Sequence, residues 1–532
     1  MTARIRLHNV RVLYGSPPDL VPLAAAVKLN RPGLLLGEFA VVRRSLDTRE
    51  RPRIYWSYAV EFDGDEELIS HLPPNEAAIA PTYVETPVVN GRAVLHGRPV
   101  IVGAGPAGLF AALALAQRGY RPVVVDRGKE VAARDADVAA LMKGRVINPE
   151  SNLLYGEGGA GAYSDGKLTT RVSDARMDHV LAVLVECGAD ESILIDARPH
   201  IGSDVLPRVV SRLRAKIERA GGEFTYGFRV KELALADGPR AVGVIASDGT
   251  ALPAGVVVLA AGAAARDLMQ TLHSQGVTME AKPFQIGVRI EHPQTVVDRA
   301  VYRREREDLP PAEYIMSCPA SRGRRGVATF CMCPGGIIVP AMAEEGHLST
   351  NGMSNSARNG QFANAALVVT VTPEDLGGEG PLSGLKFQDD LERAAFEVAH
   401  DYRAPAQTAA SFLADKAGGR LPKSSYPLGL VSANLRQLLP GFLVEALDAC
   451  LPHFDRKLTN FLARGLLIAV EARVSSPVRI TRDVNSRESA STACLYPVGE
   501  GSGYAGGIMT SAVDGIKTAE GIIRRYAPPE RR

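Results

Sequence analysis

Apolar and polar residues follow several different periods along the chain, and each period predicts a different kind of element. Near the N-terminus apolar residues alternate with polar ones, which is the period of a half-buried strand. The predicted strands cover residues 5–12, 38–45 and 53–62, and a short helix covers residues 19–28. Residues 73–90 are rich in Pro, Ala and Thr and are interpreted as a linker. We therefore predict a small α+β domain over residues 1–95.

The pattern changes at residue 98, where two short β-branched runs flank a long Ala- and Leu-rich segment. Continuous apolar runs of this kind predict parallel strands that are buried on both faces, here joined by a helix. Further helices are predicted over 205–220, 388–403, 455–463 and 507–525, and further strands over 256–261, 284–291 and 365–371. The predicted class is α/β, with a Rossmann-type nucleotide-binding domain over 96–280 and 466–532, an inserted mixed α+β substrate domain over 281–465, and the small N-terminal α+β domain.

Composition narrows the class of protein. The 532 residues include 61 Lys and Arg and 59 Asp and Glu, a net charge of +2, which excludes a polybasic nucleic-acid binder and long charged tails. The six cysteines are too sparse for a disulfide scaffold, and no apolar run reaches the roughly 18 residues of a membrane-spanning helix. The N-terminal residues lack the apolar core of a signal peptide. We expect a cytoplasmic protein without membrane association.

The turn after the first buried strand carries the strongest chemical signal. Its glycines follow a G-x-G-x-x-G pattern between a strand and a helix, and an acid ends the next strand, where it can accept hydrogen bonds from a ribose. Gly103 allows the tight turn, Gly105 lets the backbone approach a pyrophosphate, and Gly108 lets helix and strand pack closely. The candidate cofactor residues are Gly103, Ala104, Gly105, Pro106, Ala107, Gly108, Asp126 and Arg127.

Later glycine-rich stretches favour FAD as the dinucleotide. Residues 256–262 are typical of the strand and small-residue turn that close FAD domains, and residues 495–501 resemble a late strand whose acid contacts the ribityl chain, with Glu in place of the more usual Asp. A helix that starts near residue 507 would stabilise negative charge on a reduced flavin ring. The candidate residues are Gly158, Gly159, Ala160, Gly161, Lys167, Ala261, Gly262, Gly499, Glu500, Gly506, Gly507 and Ile508. No second nucleotide motif follows, so NADH or NADPH is expected only as a transient visitor.

Several stretches, taken together, resemble one family. They are residues 156–161 with 164–168, 199–204, 287–293, 331–336, 351–354, 475–479 and 499–507. Over nearly its whole length the chain is similar to the uncharacterised FAD-dependent dehydrogenases, a bacterial and plastid group of the glutathione-reductase-type flavoproteins. The resemblance implies bound FAD, a two-domain flavoprotein fold and a redox role, and it implies no particular substrate.

Cysteine, histidine and tyrosine supply the catalytic candidates. Cys331 and Cys333 form a C-x-C pair, and residues i and i+2 of a strand share a face, so the two thiols are candidates for redox chemistry. The alternatives are structural packing and a zinc site, which needs further ligands; no metal is expected. His200 is a candidate acid–base group and Tyr504 a candidate proton donor, with a structural role as the alternative for each.

Arginines in apolar surroundings indicate either an anionic substrate or internal ion pairs. Arg289, Arg473 and Arg479 lie near predicted strands, where a buried guanidinium needs a partner. A separate basic cluster in the N-terminal domain consists of Arg43, Arg44, Arg49, Arg51 and Arg53. A solvated face balanced by nearby acids is favoured for this cluster over binding of RNA beside the neighbouring aromatic residues.

The predicted function is an FAD-dependent oxidoreductase, a dehydrogenase or reductase. It moves a hydride between flavin N5 and a small organic substrate, and an anionic substrate is favoured. Two alternatives stay open. One is a non-catalytic redox sensor that acts on a partner or RNA through residues 1–95, and the other is a dithiol oxidoreductase that uses Cys331 and Cys333. The sequence leaves the substrate, the electron donor and the oligomeric state undetermined.

Overall fold

The computed structural model describes residues 2–50, 52–81, 88–170, 172–236, 238–321, 323–377, 380–416 and 418–530. Arg51 of the basic cluster and residues 82–87 of the predicted linker lie outside the described residues. The architecture is mixed α/β with a Rossmann-like nucleotide-binding region, as the sequence predicts.

The N-terminal residues form an antiparallel sheet with one helix packed on it. The elements are β1 (Thr2–Leu13), α1 (Leu20–Lys28), β2 (Gly37–Asp47), β3 (Tyr55–Asp65) and β4 (Ala77–Ile79). The strand order β2-β3-β1-β4 resembles a ferredoxin-like unit, with the 3-10 turn Glu66–Ile69 in the place of a second helix. The three predicted strands and the helix are confirmed. β4 is an addition, because its residues fall in the predicted linker.

This N-terminal sheet docks onto the nucleotide-binding region through β2. The Arg44 N–H donates to the Ile195 carbonyl at 2.7 Å, and the Ala197 N–H donates to the Arg44 carbonyl at 2.8 Å. The Arg44 guanidinium also pairs with Asp196 at 2.5 Å. Part of the basic cluster is therefore an internal contact and is not presented to solvent as free charge.

The nucleotide-binding region consists of short buried strands alternating with helices. Its first elements are β5 (Pro99–Val102), α2 (Pro106–Gln117), β6 (Val123–Asp126), α3 (Val131–Gly144), α4 (Arg176–Glu186), α5 (Leu206–Arg219) and β7 (Glu223–Tyr226). They are followed by β8 (Val230–Ala236), β9 (Arg240–Ala246), β10 (Ala251–Pro253), β11 (Val256–Leu259), α6 (Arg266–Ser274) and β12 (Met279–Ala281). Every residue of β5, β6 and β11 is buried, as expected for parallel strands covered on both faces.

The inserted region is built on one large sheet. Its elements are β13 (Phe284–Pro293), α7 (Gln294–Tyr302), β14 (Ser317–Cys318), β15 (Val327–Pro340), β16 (Thr350–Met353), β17 (Phe362–Val371), α8 (Ser383–Glu397), β18 (Ala404–Thr408), α9 (Ala409–Leu413), β19 (Leu430–Ser432), α10 (Leu435–Leu438), α11 (Gly441–Lys457), α12 (Phe461–Arg464) and β20 (Leu466–Glu471). The chain then ends with β21 (Val478–Ile480), β22 (Leu495–Pro497) and α13 (Ile508–Arg525).

The sheet order shows how the two regions interleave. The parallel nucleotide-binding sheet runs β22-β11-β5-β6-β7, so its edge strand β22 comes from near the end of the chain. The large sheet runs β14-β15-β17-β13-β20-β18-β19, with β16 paired to β15. Residues 466–471, which the sequence assigns to the returning nucleotide-binding segment, form β20 between β13 and β18 of the large sheet.

The predicted helix over residues 455–463 is wrong. α11 ends at Lys457, Leu458 is extended, and Asn460 adopts a left-handed φ of 68° before α12 begins at Phe461. The break turns Leu458 and Phe461 into the core of the inserted region, which is a tertiary requirement that helical periodicity does not report. The predicted helices over 205–220 and 507–525 are confirmed.

None of the helices in the described ranges combines the length and the apolar composition that crossing a bilayer requires.

Candidate active site

The turn between β5 and α2 is shaped by close approaches of backbone to backbone. Gly103 has a φ of 110°, and a Cβ there would lie 2.3 Å from the Ala260 carbonyl oxygen. A Cβ at Gly108 would lie 1.9 Å from the Gly103 carbonyl oxygen. Both positions therefore exclude any side chain, as the tight turn and the helix–strand contact of a dinucleotide motif require.

Gly105 differs from these two glycines because it faces open space. The nearest atom to a Cβ at Gly105 would be the Gly159 Cα, at 3.9 Å. Gly105 is the N-cap of α2, and no side chain of the described residues caps this helix end. Free N–H groups and the positive end of the helix dipole thus border an open space of the kind that a pyrophosphate occupies.

The acid at the end of β6 fixes the turn. The Asp126 carboxylate accepts hydrogen bonds from the Ala104 N–H at 2.9 Å and from the Gly128 N–H at 2.8 Å. A carboxylate offers about four acceptor sites, so acceptor capacity remains for a ribose hydroxyl. Its neighbour Arg127 pairs with Glu150 at 2.8 Å and with Asp267 at 3.2 Å, and is neutralised within the chain.

The loop around residues 158–161 lies across the starts of two helices. The Gly158 N–H donates to the Ala104 carbonyl at 2.8 Å, and a Cβ at Gly159 would lie 3.1 Å from the Gly105 Cα. Gly161 approaches both Pro106 of α2 and Ile508 of α13, with a Cβ expected at 3.5 and 3.4 Å from their side chains. Ala160 is exposed between them. The 3-10 turn Gly159–Tyr163 thus connects the pyrophosphate space with the start of α13.

The late glycine-rich segment closes the other side of this space. The Gly499 N–H donates to Asp514 at 2.9 Å, which ties the segment after β22 to α13. Gly501 packs so closely on Gly262 that a Cβ would lie 2.3 Å from the Gly262 carbonyl oxygen. The backbone of Gly262, which follows Ala261, therefore lies directly against Gly501. Sequence analysis missed Asp514, because it lies in the middle of a helix and belongs to no motif.

The start of α13 is open, like that of α2. A Cβ added at Gly506 or Gly507 would have no described atom within 4 Å, and the N-cap residue Gly507 offers no side-chain cap. The Thr510 hydroxyl accepts from the Gly506 N–H at 3.1 Å and donates to the Gly507 carbonyl at 3.3 Å. Glu500 lies just before this helix start. Burial raises the pKa of its carboxyl group to about 7, and Lys282 partly opposes the rise. A carboxyl group with a raised pKa, in the segment that leads into this helix start, fits contact with a hydroxyl-bearing chain that leads to a ring.

A second cluster lies at the other end of the 3-10 turn. The Lys167 Nζ atom is enclosed, 3.8 Å from Asp165, and has no hydrogen-bond partner among the described residues. Asp165 is held by Arg358 at 2.9 Å and by the Ser354 hydroxyl. Asp165 and Ser354 lie in stretches that carry the family resemblance, but the sequence predicts no individual role for either residue. Cys331 and Cys333 raise the pKa of Lys167, so the two cysteines belong to the same cluster.

Arg289 adjoins these cysteines but is engaged by other protein groups. Its Nε pairs with Glu471 at 2.5 Å. It also donates to the Asn364 and Asn351 side chains at 2.9 and 2.8 Å and to the Cys331 carbonyl at 3.0 Å. Of the two roles predicted for Arg289, substrate binding and an internal ion pair, the structure shows the internal ion pair.

The two other candidate arginines are paired in the same way. Arg473 is buried between Glu392, at 2.7 Å, and Glu344, at 2.6 Å. Arg479 on β21 pairs with Glu280 of β12 at 3.2 Å and is partly exposed. Both guanidinium groups are therefore already matched by carboxylates of the chain.

The remaining catalytic candidates have partners of their own. His200 Nε2 lies 3.1 Å from the Ser356 carbonyl, and burial together with Arg358 lowers the His200 pKa. The Tyr504 hydroxyl donates to the Ile480 carbonyl at 2.9 Å, and burial raises its pKa. His200 forms a bridge to Lys167 through the backbone, which places it beside the second cluster. Their catalytic roles stay predictions.

Comparison with known proteins identifies the family. A model described as "FAD-dependent protein, C-terminal domain-like" matches residues 283–474, and one described as an NAD(P)-binding Rossmann-like domain matches residues 101–150. An uncharacterised protein of Clostridium beijerinckii is 38% identical over 534 residues, covering 99% of this chain and 100% of that protein. The chain belongs to this family of FAD-dependent proteins.

Other known proteins match this chain more weakly. Protein FixC of Escherichia coli K12 is 30% identical over 204 residues, which cover 37% of this chain and less than half, 44%, of FixC. Among solved structures, L-amino acid deaminase from Proteus vulgaris is 13% identical over 84% of this chain and 97% of that chain, with a TM-score of 0.38. A steroid dehydrogenase from Rhodococcus jostii RHA1 has 12% identity, coverages of 82% and 99%, and a TM-score of 0.34. These structural likenesses are too distant to support an argument about the reaction.

Membership in the FAD-dependent family agrees with the geometry. The open cradle at Gly105 and the start of α2 suit a diphosphate, Glu500 suits a ribityl chain, and the start of α13 suits a ring. The cofactor is FAD, and the protein is an FAD-dependent oxidoreductase. Bound FAD supplies two-electron chemistry, while the chain supplies binding, orientation and electrostatics.

Proposed function

We propose that this oxidoreductase moves a hydride between the N5 atom of its flavin and a small organic substrate, with anionic substrates preferred. The observation that carries the preference is the Lys167 ammonium group. It is enclosed at the end of the 3-10 turn and has no hydrogen-bond partner among the described residues. Its nearest carboxylate, that of Asp165, is 3.8 Å away, which is too far for a hydrogen bond, so an anionic group that reaches the ammonium gains a charge-assisted hydrogen bond.

In this proposal Lys167 is the anion-binding group, in place of the arginines that sequence patterns favour. Arg289, Arg473 and Arg479 each already pair with a carboxylate of the chain. Burial alone would lower the Lys167 pKa, but the neighbouring cysteines and Asp165 raise it, so the ammonium form is retained near neutral pH. A single fixed ammonium group suits one carboxylate or phosphate oxygen as a point charge.

Other groups near the 3-10 turn Gly159–Tyr163 would support the reaction in different ways. The α13 N-terminus, without a side-chain cap among the described residues, favours negative charge that develops near it. Asp165, fixed by Arg358, holds the segment that carries Lys167 in place. We include NADH or NADPH in this proposal as a transient electron donor, because the chain carries a single dinucleotide motif.

The test is anaerobic reduction of the flavin in the purified holoprotein. Wild type is mixed with NADH, NADPH and pairs of small donors that differ only in a carboxylate, such as a 2-hydroxy acid and the matching neutral alcohol. We expect at least one donor to bleach the flavin bands within seconds.

The Lys167→Met variant tests the anion preference. Loss of a charged hydrogen bond of about 1.5–3 kcal/mol should raise the half-saturating concentration of the anionic donor about tenfold to a hundredfold, and leave the neutral donor unchanged. Lys231→Met, at an exposed position on β8, is the matched control and should change neither value. Equal losses for anionic and neutral donors would reject Lys167 as the anion-binding group. Absence of reduction by every donor would reject the hydride transfer.

A further inference from the structure

The C-x-C pair lies where β15 departs from regular strand geometry. Cys331 has a left-handed φ of 42°, and the pairing of β15 with β17 shifts register between Phe330 and Cys333. The Cys333 thiol donates to the Cys331 carbonyl at 3.3 Å. The bulge therefore places the Cys333 thiol against Cys331, close enough for each thiol to shift the pKa of the other.

The two thiols differ in exposure and in charge. Cys331 is partly exposed, whereas Cys333 is fully buried. The hydrogen bond from Cys333 lowers the Cys331 pKa, and although burial opposes this, Lys167 and Arg289 lower it further. The same contact and burial raise the Cys333 pKa. The pair thus combines a partly exposed cysteine, whose pKa is lowered, with a fully buried partner, whose pKa is raised.

The other cysteines provide an internal comparison. Cys318 and Cys450 also contact each other, but burial and that contact raise the Cys450 pKa to about 12. Burial likewise raises the pKa of Cys187. In neither thiol does a neighbouring cation outweigh burial. The environment of Cys331 therefore differs from theirs because its interaction with Cys333, together with Lys167 and Arg289, outweighs burial.

We propose that Cys331 and Cys333 form a redox-active dithiol that reduces small disulfides, with Cys331 as the attacking thiolate and Cys333 as the resolving thiol. The proposal goes beyond the hydride transfer above and does not depend on it. Attack requires a thiolate that a substrate can reach, and resolution requires a second thiol in contact with the first.

Atoms and electrons balance between the protein dithiol and the small disulfide. The Cys331 sulfur forms an S–S bond with one sulfur of the disulfide, and the other half leaves as a thiolate. Cys333 gives its proton to that thiolate and attacks the Cys331 sulfur, and the second half leaves as a thiolate. The two protein thiols lose two electrons, and the small disulfide gains them.

Oxidised glutathione is the probe, and thiol counting by mass spectrometry is the readout. The purified holoprotein is reduced, freed of reductant, equilibrated with glutathione buffers of rising oxidised fraction, and alkylated with iodoacetamide. We expect wild type to lose two alkylatable thiols together, both in the tryptic peptide 326–358, which contains Cys331 and Cys333. Since flavin reduction is not measured, a failed hydride transfer leaves this result interpretable.

Single variants separate the two roles. Cys333→Ser should stop at a glutathione adduct on Cys331, and Cys331→Ser should form neither adduct nor disulfide. The double variant Cys318→Ser/Cys450→Ser is the matched control for a contacting pair and should behave as wild type. At pH 7, Cys331 should be alkylated at least about tenfold faster than Cys318, and Lys167→Met should remove most of that difference.

Three outcomes would overturn the proposal. They are full alkylation of both thiols in every buffer, a glutathione adduct in wild type without an internal disulfide, and loss of the thiols from Cys318 and Cys450 instead. The wild-type titration is decisive by itself if a serine variant fails to fold.

Discussion

At the residue scale, the three glycines of the dinucleotide turn do different physical work. Gly103 and Gly108 are required by the fold, since a side chain at either would collide with backbone. Gly105 has an ordinary φ of −78°, and a Cβ there would touch nothing nearer than 3.9 Å. Only the cofactor explains a glycine at this position, because the open space beside it lies at the free N–H groups of α2.

We predict that Gly105→Ala separates cofactor binding from stability. The new methyl group should enter the pyrophosphate space and weaken FAD binding at least about tenfold, while the free energy of unfolding of the apoprotein changes by less than about 1 kcal/mol. Flavin fluorescence titration and urea unfolding measure the two effects. Gly441→Ala, at the start of α11 with open space around it, is the matched control and should leave FAD affinity unchanged, with a change of less than about 1 kcal/mol in the free energy of unfolding. Unaltered FAD affinity in Gly105→Ala would place the pyrophosphate elsewhere.

At the scale of elements, the site depends on how α2 and α13 cross. Gly515 of α13 packs against Ala107 of α2, and a Cβ on it would lie 2.2 Å from the Ala107 carbonyl oxygen. This contact packs the interior of α13 on the first turn of α2, although the two helices start about 400 residues apart in the chain. The 3-10 turn Gly159–Tyr163 then contacts both starts.

The Gly515→Ala substitution should force the helices apart. Alanine favours a helix by about 1 kcal/mol over glycine, so any destabilisation reports the crossing itself. We expect a net loss of about 1–3 kcal/mol in the free energy of unfolding together with weaker FAD binding. Denaturant unfolding of apoprotein and holoprotein measures both. A variant as stable as wild type, with normal FAD affinity, would show that the crossing tolerates a side chain.

At the scale of the whole molecule, a buried ion cluster joins the nucleotide-binding and inserted regions. Glu392 of α8 pairs with Arg266 of α6 at 3.0 Å and with Arg473, just after β20, at 2.7 Å. Burial alone would raise the Glu392 pKa, but the two arginines outweigh burial and lower it. Two cations from different parts of the chain thus share Glu392, and Glu344 also pairs with both, at 2.6 Å from Arg473 and 3.6 Å from Arg266.

Removing that carboxylate should destabilise the protein as a whole. Glu392→Gln leaves two buried guanidinium groups with reduced compensation, and we expect a loss of about 3–5 kcal/mol in the free energy of unfolding. Asp390→Asn, which breaks the exposed Lys386–Asp390 pair on the same helix, should cost less than about 0.5 kcal/mol. Thermal and urea unfolding followed by circular dichroism compare them. Similar small losses in both variants would show that the cluster does not hold the regions together.

The sequence by itself determined the features that depend on local order. The glycine fingerprint, the buried strands around it, the α13 start and the N-terminal strands could all be predicted. Turns, helix starts and the periodicity of buried positions depend on residues that are close together in the sequence. The family followed from several such stretches. The break between α11 and α12 and the position of β20 in the large sheet could not be predicted, because they depend on which distant part of the protein each segment packs against.

Only the tertiary structure decided which charged and reactive groups meet. Arg289 and Arg473 are paired internally, while Lys167 is an enclosed ammonium group without a hydrogen-bond partner among the described residues, and no pattern in the sequence distinguishes these cases. The contact between the cysteines was suggested by their spacing, but the cations near Cys331 come from segments 164 and 42 residues away. Electrostatic energy depends on distance through space, whereas sequence reports distance along the chain.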